Sequence, residues 1–294
     1  MGAQKNNGNS HGNSPKKNNK LTIIIVLVII VLAFAINRIQ KINGEEKLPE
    51  NTAYEYEDNS RSEQVPEENQ TSKSDQDTKK EQASRSDKIS KPSPVGNKFD
   101  FNSIPEFDGE YYVAINDNIP FFDASDLTEE SYEYYSDLDK LGRCGYCMAC
   151  VGKDIMPTEK RGDISSVKPT GWVQAKYDIV EGEAIWNRSH LLGYQLTGEN
   201  ANEKNLITGA RYFNAEVMTI FENMVADYIK ETGNHVLYRV TPVFEGKNLV
   251  AKGVLMEAES VEDEGEEILY NVFCYNVQPG IVIDYATGET WLEN

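Results

Sequence analysis

The chain has 294 residues, 39% of them hydrophobic, and a formal net charge of −19 at pH 7. That length can bury one good-sized core, and the acidic balance excludes a binder that holds nucleic acid through a broad basic face. The average hides a division. Residues 1–95 hold 14 Lys+Arg against 13 Asp+Glu, which leaves 15 against 35 for residues 96–294, so the acidic excess belongs to the second part.

In chain order, residues 1–20 are polar and carry Lys5, Lys16, Lys17 and Lys20. Residues 21–36, LTIIIVLVIIVLAFAI, are almost wholly apolar, and Ile39 and Ile42 extend them. The run predicts a transmembrane signal-anchor over 21–42, near the ~20 residues a membrane span needs. The lysines before it predict a cytoplasmic N-terminus and an exported remainder. A cleaved signal peptide is the competing expectation, because Ala33-Phe34-Ala35 fits a cleavage pattern. Either way the rest lies outside the cytoplasm, on the cell membrane or secreted. Residues 43–95 are rich in Glu, Ser, Asp, Lys, Gln and Asn and carry few large apolar groups, which predicts a disordered linker. Residues 96–294 are left as the folded domain.

Inside that domain, EYYVAI at 110–115 predicts a strand, followed by a D-N-I-P turn. Residues 127–141 carry aromatics and acids at helical spacing and predict a helix. Cys144, Cys147, Cys150 and a distant Cys274 allow three readings. The C-x2-C-x2-C spacing can hold zinc or an iron–sulfur cluster. An exported domain more often forms disulfides, and cysteine also serves as a small buried residue in a packed turn or helix. Residues 171–180 alternate as a strand does, and Glu181-Gly182-Glu183 makes a turn. Residues 213–231 predict the strongest helix, with Val217, Ile220, Phe221, Met224, Val225, Tyr228 and Ile229 on one stripe and a glycine stop at Gly233. Strands follow at 235–245, 249–259, 268–277 and 281–285, the first two joined by a turn at Glu245-Gly246-Lys247-Asn248. The acidic run 257–267 reads as a solvated strand-to-turn face. The expected class is α+β, an antiparallel β-sheet core with one strong helix.

The chemistry concentrates in W-N-R-S-H-L-L-G-Y-Q-L, residues 186–196, which holds one of only three histidines. Around it run Asn187, Arg188, His190, Gln195, Asn205, Arg211, Asn214 and Glu222. A histidine ending a strand supplies a base that titrates near neutrality. An asparagine oxygen is a hard donor suited to Mg2+. A guanidinium pairs with phosphate oxygens through its planar fork. Asn214 opens the helix and Glu222 lies eight residues on, about two turns further along the same side. That pair can hold a hydrated metal while His190 faces it. Taken singly, each residue has a plainer role: a core histidine, a helix N-cap at Asn214, a solvated Glu222, an ion pair for Arg211, a surface turn for Lys160-Arg161.

Together these segments resemble the DNA/RNA non-specific endonuclease family, the ββα-metal nucleases, and within it the secreted streptodornases and nucleases of DNA uptake. The family's D-R-G-H stands here as Asn187-Arg188-Ser189-His190, its N-x-x-N-L-I-T-G as residues 202–209, and its R-Y-x-N as Arg211-Tyr212-Phe213-Asn214. MPTEKRG at 156–162 and YNVQPGIVIDYATG at 275–288 extend the likeness over most of 100–294. The resemblance implies a ββα-metal motif and a phosphodiesterase acting on DNA, with RNA as a second substrate class. It implies Mg2+ as cofactor, with Mn2+ able to substitute, and no small-molecule cofactor. His190 would be the general base. Asn214 would bind the metal directly and Glu222 through water. Asn205 would orient His190 or the scissile phosphate, and Arg188 would stabilise charge on it. Lys160, Arg161, Gln195 and Arg211 would grip the substrate. The products would carry 5′-phosphate ends. Asn187 in place of the acid and Ser189 in place of the glycine are departures that bear on efficiency. The alternative is a non-catalytic, membrane-anchored domain of the same fold that binds DNA or protein; His190, Asn205 and Asn214 standing together favour the enzyme. Oligomeric state and base preference are not readable, because a backbone-directed site carries little base information.

Overall fold

The computed structural model describes residues 92–95 and 98–293. The expected anchor at 21–42 and nearly all of the expected linker lie outside the described residues. Among the described residues no helix is long and apolar enough to cross a membrane.

The chain order is β1 (Tyr112–Ala114), β2 (Tyr132–Tyr135), β3 (Cys147–Val151), β4 (Trp186–His190), α1 (Tyr194–Thr197) and β5 (Leu206–Ala210). A π-helical turn, Phe213–Val217, then runs into α2 (Met218–Thr232). β6 (Val236–Val243), β7 (Gly253–Ser260), β8 (Leu269–Tyr275), β9 (Ile281–Ile283) and β10 (Thr290–Leu292) complete the fold. The expected α+β class with an antiparallel sheet is what forms.

Six strands make the main sheet in the order β1-β8-β7-β6-β3-β2, and every neighbouring pair is antiparallel. Alternation along each strand divides the side chains between two faces. Tyr238 and Val240 of β6, Val254 and Met256 of β7, and Val272 of β8 pack with Phe221, Val225 and Ile229 of α2. The opposite face sends Leu255 and Phe273 against Val95, Ile104 and Ile115, and Leu237, Met148 and Cys150 against Tyr132. The sheet is thus covered on both sides. The β4–β5 pair and α2 lie on the first face and carry the site.

That double cover explains where the sequence reading departs from the structure. Glu257 is fully buried on the second face, not part of a solvated acidic run. It sits in register with Arg239 and takes two guanidinium hydrogen bonds, from Nε at 2.7 Å and Nη2 at 2.8 Å. Nη1 of Arg239 donates to the Ser93 carbonyl at 2.6 Å, and the guanidinium lies over Phe122. Residues 127–141 form no helix. Tyr132–Tyr135 adds to the sheet edge as β2, since aromatic residues fit a half-buried pleat. The Asp139 carboxylate then accepts from the Leu141 and Arg143 amides and shapes the turn that follows. The cysteine run is likewise neither turn nor helix. It is β3, held between β2 and β6. Residues 171–180 make only a bridge, Lys176 to Ala184.

All four cysteines are free and buried. A spacing of three turns Cys147 and Cys150 to opposite faces of β3. Burial pushes the Cys144 and Cys150 thiols up to about 12. Among the described residues no group of three or more His, Cys, Asp and Glu can hold a metal. The cysteines are packing residues, and the zinc or iron–sulfur reading does not survive.

Candidate active site

β4 and β5 pair antiparallel from Trp186 opposite Ala210 to His190 opposite Leu206. β4 carries W-N-R-S-H, with Ser189 buried against Gly209: a Cβ on Gly209 would stand 2.0 Å from the Ser189 hydroxyl. The serine at the motif's glycine position is therefore accommodated by a glycine on the partner strand. Ser189 Oγ and Asn187 Nδ2 are both buried with no hydrogen-bond partner among the described residues. They are two residues apart, so they share the face of β4 turned from His190.

His190 ends β4 and is buried. Its Nε2 lies 2.9 Å from the Asn200 carbonyl. A carbonyl only accepts, so Nε2 carries the proton and Nδ1 keeps its lone pair. Arg161 Nη2 stands 3.3 Å from that Nδ1. Burial first, and then the Arg161 charge, lower the imidazole to about 4 against the pull of the Asn200 bond. His190 is thus neutral at physiological pH, with one fixed tautomer and its basic nitrogen turned toward Arg161.

After His190 the chain turns at Leu191 and Leu192. Asn205 holds that turn: its Oδ1 accepts from the Leu192 amide at 2.8 Å, and its Nδ2 donates to the Leu192 carbonyl at 3.0 Å. Both ends of the buried amide are engaged, so Asn205 does not reach His190 or a phosphate. Its effect on His190 passes through the backbone.

Gly193 follows, and the Glu222 carboxyl lies flat against it. A Cβ at Gly193 would stand 3.0 Å from the carboxyl carbon and from both oxygens. Glu222 is buried, not solvated. Burial pushes its carboxyl up to about 7, opposed by a hydrogen bond from Gln195 and by the Arg161 charge. Gln195 also donates to Asn223 Oδ1 at 3.0 Å. Its amide therefore steadies the acidic side of the site and is not turned to substrate. Asn214 sits in the π-helical turn, a feature frequent at functional sites. It is not the N-cap of the helix. No hydrogen bond among the described residues engages its amide.

The remaining cations divide. Arg161 bridges electrostatically to both His190 and Glu222, and exposed Lys160 lies beside it. The segment they occupy is fixed by the Tyr194 hydroxyl on the Glu159 carbonyl. Arg188 donates to the Val167 carbonyl at 2.5 Å and the Ser165 carbonyl at 2.8 Å, and lies over Trp172. It anchors the 165–172 loop instead of presenting itself to a phosphate. Arg211 pairs with Glu181 at 3.1 Å. The structure thus gathers His190, Arg161 and Glu222, and turns Arg188, Asn205, Arg211 and Gln195 to other partners. It adds Asn200 and Gly193, which sequence reasoning missed. Asn200 acts through its backbone carbonyl, which no side-chain pattern announces. Gly193 stands in H-L-L-G, where its close approach to Glu222 is the only signal.

Residues 124–262 match the family described as DNA/RNA non-specific endonuclease. Among solved structures, NucA from Streptococcus agalactiae with magnesium ion bound is 26% identical with a TM-score of 0.55, the match covering 61% of this chain and 86% of NucA. Sda1 nuclease with bound zinc ion is 25% identical with a TM-score of 0.52, covering 63% of this chain and 96% of Sda1. The histidine-ended β4–β5 pair, the helix behind it and these likenesses agree: this chain is a nuclease, and its residues 124–262 match the DNA/RNA non-specific endonuclease family.

Proposed function

We propose that this chain is an extracytoplasmic, Mg2+-dependent endonuclease that hydrolyses phosphodiester bonds of DNA, and of RNA, with His190 as general base. The observation that carries the reading is the fixed imidazole: neutral, Nε2 tied to Asn200, and Nδ1 keeping its lone pair beside the Arg161 guanidinium. Such a base can take a proton from water at any pH above about 5 without first losing one.

The acidic side of the site fits a hard cation. Asn214 offers an amide oxygen that no hydrogen bond among the described residues uses. Glu222 is a buried carboxyl that burial raises to about 7, and a cation beside it would favour its charged form. These oxygen donors suit Mg2+, and Mn2+ as its substitute. Asn214 would hold the ion directly and Glu222 through water. When bound, the ion polarises the phosphoryl group and stabilises the leaving oxygen. The chain's own residues do the rest. His190 Nδ1 accepts the proton of the attacking water. The water oxygen bonds to phosphorus as the bond to the 3′-oxygen breaks, leaving a 5′-phosphate and a 3′-oxyanion that takes a proton from water to become the 3′-hydroxyl. Lys160 and Arg161 hold the phosphate backbone. The apolar run at 21–42 supports attachment to the membrane with the enzyme outside.

The test is plasmid cleavage by the full-length protein in Mg2+, with EDTA and His190→Ala in parallel. Loss of cutting in both, with circular dichroism unchanged, is the expected result. Undiminished cutting by His190→Ala refutes the assignment. General-base catalysis predicts a fall of roughly 10²–10⁴-fold.

A further inference from the structure

Both ring nitrogens of His190 are met by segments that also meet each other. Arg161 Nη2 lies 3.3 Å from Nδ1, and the Asn200 carbonyl lies 2.9 Å from Nε2. Directly after Arg161 comes Gly162, where a Cβ would stand 2.3 Å from the Asn200 side-chain nitrogen. That contact completes a circuit around the imidazole through Arg161, Gly162 and Asn200. Other ties hold the two segments together. The Tyr194 hydroxyl donates to the Glu159 carbonyl at 2.9 Å, and a Cβ at Gly198 would meet Pro157 at 3.5 Å. Nothing in the backbone of Gly162 calls for glycine, since its φ is not left-handed. The packing calls for it. At 2.3 Å an added methyl must displace the Asn200 side chain. That amide has no room to retreat inward, because its Oδ1 is already buried. The displacement therefore passes to the Asn200 backbone, and so to the carbonyl that holds His190.

We infer that Gly162 is a positioning residue for His190: its missing side chain lets Asn200 seat, and the seated carbonyl holds the Nε2 proton so that Nδ1 keeps one direction. This rests on the general-base reading proposed above. A hydrogen bond weakens steeply once its geometry is lost. A ring released at Nε2 can turn about its side-chain torsions, and its basic nitrogen no longer meets the attacking water at a fixed place. The last residue of MPTEKRG thus acts on the chemistry without touching the substrate.

The test is a double-mutant cycle in the full-length protein: wild type, Gly162→Ala, Asn200→Ala and the two together. Two quantities are read: kcat for plasmid cleavage in Mg2+, and the Nε2-bound proton of His190 in 15N–1H spectra, assigned by its absence in His190→Ala. Gly162→Ala should lower kcat by roughly 10-fold to 10²-fold and lose the Nε2 proton signal to solvent exchange, with circular dichroism unchanged. Asn200→Ala keeps the carbonyl and removes the group that the new methyl strikes. Adding Gly162→Ala to it should therefore change neither quantity further. A ring signal in Gly162→Ala like that of the wild type overturns the inference, as does an effect of equal size in both backgrounds. Unfolding of Gly162→Ala that Asn200→Ala does not relieve overturns it too. Wild-type cleavage by His190→Ala overturns the general-base reading alone, because the ring proton still reports whether Gly162 holds the imidazole.

Discussion

Glu222→Gln, measured in EDTA, should change how stability depends on pH, and His190→Asn should change it with the opposite sign. Glu222 is raised from 4.5 to about 7 by burial. Between those values the unfolded chain has released its proton and the folded protein keeps it, so stability falls as pH rises from 4.5 to 7. His190 is lowered from 6.5 to about 4. Between those values the unfolded chain is protonated and the folded protein is not, so stability rises with pH from 4 to 6.5. Each gap corresponds to about 3 kcal/mol. In the wild type the two slopes oppose each other and largely hide one another. Glu133, also raised to about 7 by burial, adds a falling slope, but it is common to all three proteins and drops out of the differences. Urea unfolding from pH 4 to 7.5 resolves the matter. Relative to wild type, Glu222→Gln should gain about 3 kcal/mol as pH rises to 7, and His190→Asn should lose about as much by 6.5. Mg2+ should remove the falling slope of Glu222 in the wild type. Differences that stay flat with pH would show that neither group is held as the structure has it.

Asn205→Ala leaves the Leu192 amide and carbonyl without partners in a buried turn; it should cost about 1–3 kcal/mol in unfolding experiments and lower kcat through a misplaced His190. Glu257→Gln, tested by thermal unfolding, should cost about 3–5 kcal/mol by leaving Arg239 buried without its countercharge, and Arg239→Met with Glu257→Leu should recover much of that loss. Added NaCl should raise KM for DNA steeply while leaving kcat nearly constant, because an acidic domain holds the phosphate chain through a few local cations; a KM indifferent to salt would point to contacts with the bases.

The parts of the fold legible in the sequence are those where one periodicity dominates. The stripe from Val217 to Ile229 marked α2, and the alternation after Asn234 marked β6, β7 and β8. Residues 127–141 misled because acids spaced among tyrosines satisfy a helical template as well as an edge strand, and only the presence of β3 decides. Cys-Met-Ala-Cys-Val is buried on both faces and shows no period at all. In the site, chemistry was legible and direction was not. His190 and Arg161 converge and Glu222 lies close behind them, whereas Arg188, Asn205 and Gln195, whose roles the resemblance implies, are held by the backbone and by polar neighbours. Glu257 shows the same limit from the other side: an acid in an acidic run is buried because Arg239 lies opposite it on the next strand, eighteen residues away along the chain.

The latch from Arg239 to the Ser93 carbonyl has a bearing on orientation. Residues 92–95 pack on the face of the main sheet formed by Leu255 and Phe273, whereas His190 and α2 belong to the other. Residues 92–95 and the site therefore lie on opposite faces of one sheet, so a disturbance at this latch can reach His190 only through the strands between them.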